Sequence, residues 1–189
     1  MSYPVLKPLE RYIVKPSITE KDGVIKRATL SEDGRYRYVL SRRWSKDKKA
    51  PSILWVMLNP STADADVDDP TIRRVIGFTR REGYERAYVV NLYAFRATDP
   101  SELTGMEPME AIGPLCDRYI GDVAQLDVTR RVIVAWGAHP MARRRERDVI
   151  HLLCKSGCTD VLCFGTTNKG APRHPLYVKG DSPLRPYHL

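Results

Sequence analysis

Apolar residues along the chain gather into four short, nearly unbroken runs at 53–58, 87–92, 132–136 and 161–164. Runs of this length without polar alternation predict strands covered on both faces, as in a parallel sheet. Helical spacing fills the gaps between them. Asp69-Pro70 supplies an N-cap followed by a proline at the first helical position, and Ile72, Val75, Ile76 and Thr79 follow at helical spacing up to a stop at Gly83. A second helix is expected near Pro114, with Leu115, Cys116, Tyr119, Ile120 and Val123 on one side, and a third over 141–154. Strands alternating with helices predict right-handed crossovers and a mainly parallel sheet.

The flanks read differently. Segments 24–30 and 35–43 surround Ser31-Glu32-Asp33-Gly34, an Asp-Gly turn between β-branched and tyrosine-rich stretches, which predicts a hairpin spanning 22–44. Residues 1–21 lack a period and are expected to form an irregular arm; 46–50 is a basic connector. The proline-rich tail, 165–189, is expected to fold over the top of a core spanning 51–164, giving a single α/β domain over 1–189. No apolar run approaches the roughly 20 residues of a membrane span, and Met1-Ser2-Tyr3-Pro4-Val5 begins no signal segment, so a cytoplasmic protein without a membrane partner is expected.

Charge then narrows the partner. The chain carries a net charge of +8, with basic residues concentrated at Arg42, Arg43, Lys46, Lys48 and Lys49 and again at Arg143, Arg144, Arg145 and Arg147. Such an excess favours an anionic partner, although ordinary soluble surfaces carry it too. Cys116, Cys154, Cys158 and Cys163 lack the spacing of a paired zinc site and read as structural thiols. No cofactor is expected.

Candidate chemistry lies where the apolar runs end, because open α/β sheets bind ligands beyond the carboxyl ends of their strands. Asn59-Pro60-Ser61 follows the first run; a side-chain amide on a stiffened backbone suits a fixed water or polar ligand, and an ordinary turn is the competing reading. Asn91 ends the second run and offers a donor and an acceptor to a ligand edge, or serves as a satisfied structural amide. Arg96 either faces a phosphate or braces its loop against Asp99. Gly137 lets a ligand approach the backbone after the third run, and His139 opens a helix whose N-terminus suits a phosphate. In the tail, His174 stands beside Arg173 and is followed by Tyr177; an imidazole held there would donate to charge developing on a leaving group. Asp64, Asp66, Asp68 and Asp69 crowd one loop, where Asp69 is most simply a helix cap and a Mg²⁺ site is the alternative.

Taken together, Met57-Leu58-Asn59-Pro60-Ser61-Thr62-Ala63-Asp64, Asp69-Pro70-Thr71, Asn91-Leu92-Tyr93-Ala94-Phe95-Arg96-Ala97-Thr98-Asp99-Pro100 and Pro172-Arg173-His174-Pro175-Leu176-Tyr177 closely resemble a bacterial and phage family known as a domain of unknown function, over roughly residues 24–178. More distantly, Asn59-Pro60, Asn91, Trp136-Gly137-Ala138 and His174-Pro175 resemble the motifs of the uracil-DNA glycosylase superfamily, in that chain order. That resemblance implies a three-layer α/β/α fold with a four-stranded, mainly parallel sheet in order 2-1-3-4. It further implies action on nucleic acid, DNA above all, or on a nucleotide. Asn59 and His174 would be catalytic, orienting water and stabilising the departing base. Pro60, Ser61, Asn91, Arg96, Gly137, His139, Arg173 and Tyr177 would bind substrate. The rival readings are a non-catalytic nucleic-acid-binding module and a metal-dependent phosphoester hydrolase built on the 64–69 loop.

Overall fold

The computed structural model describes residues 14–188, so the expected irregular arm lies outside the described residues up to position 13. From 14 onward the chain is already ordered into a sheet. Strands β1 (Val14–Lys21), β2 (Val24–Ser31) and β3 (Arg37–Arg43) form an antiparallel array. Then β4 (Ser52–Met57), α1 (Pro70–Arg81), β5 (Arg86–Asn91), α2 (Pro108–Ile112), α3 (Cys116–Ala124), β6 (Thr129–Val134), α4 (Pro140–Lys155), β7 (Val161–Cys163) and a short β8 (Arg185–Pro186) complete the order.

All eight strands belong to one mixed sheet, ordered β1-β2-β3-β5-β4-β6-β7-β8. This corrects the expected four-stranded, uracil-DNA-glycosylase-like sheet with a hairpin beside it. The parallel strands β5, β4, β6 and β7 occupy the middle, but β3 joins β5 antiparallel, with Leu40 opposite Val89 and Arg43 opposite Arg86. At the far edge the tail adds β8 antiparallel to β7. The physical reason is burial. Arg37, Ser41, Arg42 and Arg43 make β3 look like a solvent-facing hairpin strand, yet all four are buried.

Period-two alternation divides the core between the two faces. From β4, Leu54 and Val56 pack with Leu92, Ile120 and Leu153 under α3 and α4, whereas Ile53, Trp55 and Met57 pack with Val75 and Phe78 of α1 on the other face. There Phe78 stacks on Phe164 at 4.5 Å, and Thr79 accepts the indole N–H of Trp55 at 3.0 Å. Cys116 and Cys163 are buried, and the Cys116 thiol donates to the carbonyl of Asn91 at 3.4 Å. No helix among the described residues is long and apolar enough to cross a membrane.

Candidate functional site

The ends of β4, β5 and β6 meet at a cleft of about 560 Å³. Parallel register brings Asn91, the last residue of β5, level with Met57, the last of β4. Beyond β6, Ala135 donates to the carbonyl of Val56 at 2.8 Å, which carries Trp136 into the same wall. The tail crosses next: Gly137 donates to the carbonyl of Pro172 at 3.0 Å. Gly137 holds φ at +76°, and a Cβ there would lie 3.4 Å from the Cβ of His174. Only glycine takes that backbone readily while the tail comes so close. Arg74 of α1 fastens the tail from below, donating to the carbonyls of Pro175 at 3.3 Å and of Val178.

Seven of the ten sequence-derived candidates line this cleft: Asn59, Ser61, Asn91, Gly137, His139, His174 and Tyr177. The other three stand elsewhere. Pro60 is buried under it and its carbonyl accepts from Ala97 at 2.9 Å. Arg96 donates to the carbonyl of Gly34 at 3.2 Å and braces the hairpin turn; Asp99 caps the 3-10 turn Pro100–Gly105 instead of pairing with it. Arg173 is exposed on a neighbouring groove and donates to the carbonyl of Thr166 at 3.1 Å.

Each lining group has a distinct hydrogen-bonding state. Asn59 spends its amide nitrogen on the carbonyls of Ala97 (2.8 Å) and Pro60 (3.1 Å), so its remaining capacity is the acceptor oxygen Oδ1. His139 and His174 cap α4 and the 3-10 turn Pro175–Tyr177, their Nδ1 atoms accepting from Met141 at 3.3 Å and Leu176 at 3.4 Å. An accepting Nδ1 places the proton of a neutral imidazole on Nε2. Burial holds the His174 pKa below the ordinary 6.5 and the charge of Asp69 partly offsets it.

Asn91 and Trp136 are different again. Asn91 is 2% exposed and Trp136 1%, and among the described residues neither the Asn91 Oδ1 nor the Trp136 Nε1 has a partner. Leaving a buried polar group unsatisfied costs about 1–3 kcal/mol. Both residues line the cleft, as does Arg37, whose Nε is also buried without a partner among the described residues, so the cleft wall holds one spare acceptor and two spare donors among buried groups.

Sequence reasoning left Arg37 out of the site. The antiparallel pairing of β3 with β5 sets its first residue beside the end of β5, where the Arg37 amide donates to the carbonyl of Ala94 at 2.9 Å. Its side chain is 3% exposed, donates to the carbonyl of Ala63 at 2.6 Å, and has no ion pair among the described residues. Burial pushes its pKa down to about 9, so it is still a cation at neutral pH. Asp69 also lines the cleft, as the one carboxylate among its lining residues, while its Oδ1 accepts from Ile72 at 2.8 Å to cap α1.

The rest of the acidic loop is tied into the structure. Asp68 takes Arg42 at 2.6 Å and Lys26 at 3.0 Å, and Asp64 accepts the amides of Asp66 and Val67 at 2.8 and 3.0 Å. Arg42 also donates to the carbonyl of Asp64 and thereby folds the loop around itself.

A family model described as protein of unknown function (DUF1643) matches residues 37–176, and the chain belongs to that family. The matched span begins at Arg37 and contains every residue of the cleft except Tyr177. No curated protein matches the chain.

Proposed function

We propose that this family member binds a nucleobase-bearing ligand in the cleft, as a nucleotide or as a base turned out of a nucleic-acid strand, and hydrolyses its N-glycosidic bond. The observation that carries the reading is the unpaired couple at the cleft wall, the Asn91 acceptor and the Trp136 donor. An N–H and a carbonyl on the edge of a base would satisfy both. Arg37 supplies a dehydrated positive charge beside them, suited to a phosphate or to negative charge on the base.

In the proposed step Asn59 Oδ1 accepts a hydrogen bond from a water and orients it. The water oxygen bonds to the anomeric carbon as the carbon–nitrogen bond breaks, and the bond's electron pair leaves with the base. Nε2–H of His174 donates to that developing charge, and the free oxygen of Asp69 takes the proton the water loses. Stabilising charge that exists only in the transition state is commonly the largest catalytic contribution, and one lost donor costs about 100–1,000-fold in rate. A binding module without turnover is favoured by a different fact: the Asn59 amide and both imidazoles already hold backbone groups in place.

The test is base release from single- and double-stranded DNA carrying uracil, mismatches and modified bases, and from free nucleotides, with and without EDTA. Release is expected from wild type, a loss of about 100-fold or more in His174→Ala, and weakened binding in Asn91→Ala. Binding without product in wild type selects the module. Equal release by wild type, His174→Ala and Asn59→Ala would sink the assignment.

A further inference from the structure

At the opposite end of β5 lies a second groove, of about 370 Å³, that shares no lining residue with the cleft. Arg86, the first residue of β5, stands directly across from Arg43, the last of β3. Like charges in opposed positions of an antiparallel pair destabilise it. Arg27 of β2 and Lys48 of the basic connector line the same groove. Its one acidic lining residue, Asp122, is paired with Arg118 at 3.6 Å on the helix surface.

The buried arginines of this chain fall into two sets. Arg42 has Asp68, and Arg145 has Asp117 and Asp148. Arg37, Arg43 and Arg86 have no ion pair among the described residues, and each of them lines one of the two cavities. Arg86 at least donates to the Tyr88 hydroxyl and the Lys48 carbonyl, both at 2.8 Å. Arg43 is 7% exposed, with no side-chain hydrogen bond or ion pair among the described residues. Its side chain is largely covered but its guanidinium opens on the groove, where an anion from outside can supply the partner the protein does not. Burial, then the neighbouring Arg86 and Arg27, work against its charge and lower its pKa.

We propose that this groove is a second ligand site, taking a phosphate group between Arg43, Arg86, Arg27 and Lys48. Guanidinium forks match phosphate oxygens two at a time, and three of the four cations stand at paired positions of the sheet, Arg27 opposite Ser41 and Arg43 opposite Arg86. The Tyr88 hydroxyl accepts from Arg86 and so keeps its own O–H for an anion. This site stands independently of the reading given to the cleft.

Its test uses the full chain, with Arg37→Met run beside it because Arg37 is the cation that would hold a phosphate in the cleft, so that the response left in Arg37→Met belongs to the groove. Pyrophosphate is titrated by calorimetry and thermal shift against sodium chloride of matched ionic strength, and a short oligothymidylate is run in parallel. Pyrophosphate is expected to raise Tm beyond the salt control. Arg43→Met and the surface change Arg27→Ser are each expected to weaken binding about tenfold or more. Arg43→Met is also expected to match or exceed the parent Tm in phosphate-free buffer, because a repelling charge is gone. Tighter binding of the oligonucleotide than of pyrophosphate assigns the phosphate to a strand; the reverse assigns it to a small phosphate ester. No response beyond matched salt, or an unchanged response in Arg27→Ser, overturns the site, and Arg27→Ser decides should Arg43→Met fail to fold.

Discussion

At the scale of single residues, His174 joins stability to the proposed chemistry. Its burial lowers its pKa below 6.5. Above that pH the folded and unfolded chains both hold it neutral. As pH falls through 6.5 the unfolded chain takes up a proton first, so stability is lost from there down to the folded-state value. Over that interval the folded protein keeps the neutral imidazole with its Nε2 proton. NMR titration of the ring proton is therefore expected to give a midpoint below 6.5, and His174→Gln is expected to lose less stability on acidification than wild type. A midpoint at or above 6.5 would remove the argument. His174 and Asn91 were legible in the sequence because each is a polar residue at a place where a run or a tail has to meet the sheet. Arg37 was not. A buried arginine is written like an exposed one, and only the pairing of β3 with β5 shows that this one faces the cleft.

At the scale of elements, caps and runs carried most of the information. Asp69-Pro70 marks the start of α1, and the Asp69 side chain does accept from Ile72. The same carboxylate lines the cleft, so its structural and chemical roles can be separated by substitution. Asn caps a helix about as well as Asp, whereas Ala at an N-cap costs about 1 kcal/mol. Asp69→Asn is expected to hold Tm within a degree or two of wild type and Asp69→Ala to lower it, while both lose base release if Asp69 takes the proton. Retained activity in Asp69→Asn would restrict the residue to capping. The antiparallel half of the sheet was harder to foresee. Residues 14–21 have no apolar alternation because β1 is an exposed edge strand, paired on one side by β2. Arg42 gave the same trouble in reverse: its partners, Asp68 and the carbonyls of the 64–69 loop, lie more than twenty residues away and no local pattern announces them.

At the scale of the whole molecule, the tail links the cleft to the sheet edge. Its first part is fastened by Arg74, which places His174. Its last part is fastened separately: Arg81 donates to the carbonyls of Gly180 and Ser182, β8 pairs with β7, and Tyr187 meets the Trp136 ring edge-on at 5.6 Å. The two attachments predict opposite outcomes. Deleting 180–189 uncovers Trp136 and the β7 edge, so Tm is expected to fall and tryptophan emission to shift to the red, with ligand binding retained at temperatures where the shortened chain stays folded. Arg74→Ala keeps Tyr187 and β8 but releases the segment that carries His174. It is expected to lower base release about tenfold or more while costing less stability than the deletion, since a misplaced catalytic group can lose about 100-fold in rate without any loss of fold. Stability and ligand binding that fall together in both variants would mean the tail acts as one unit, and the placement of His174 would then depend on the whole sheet edge and not on α1.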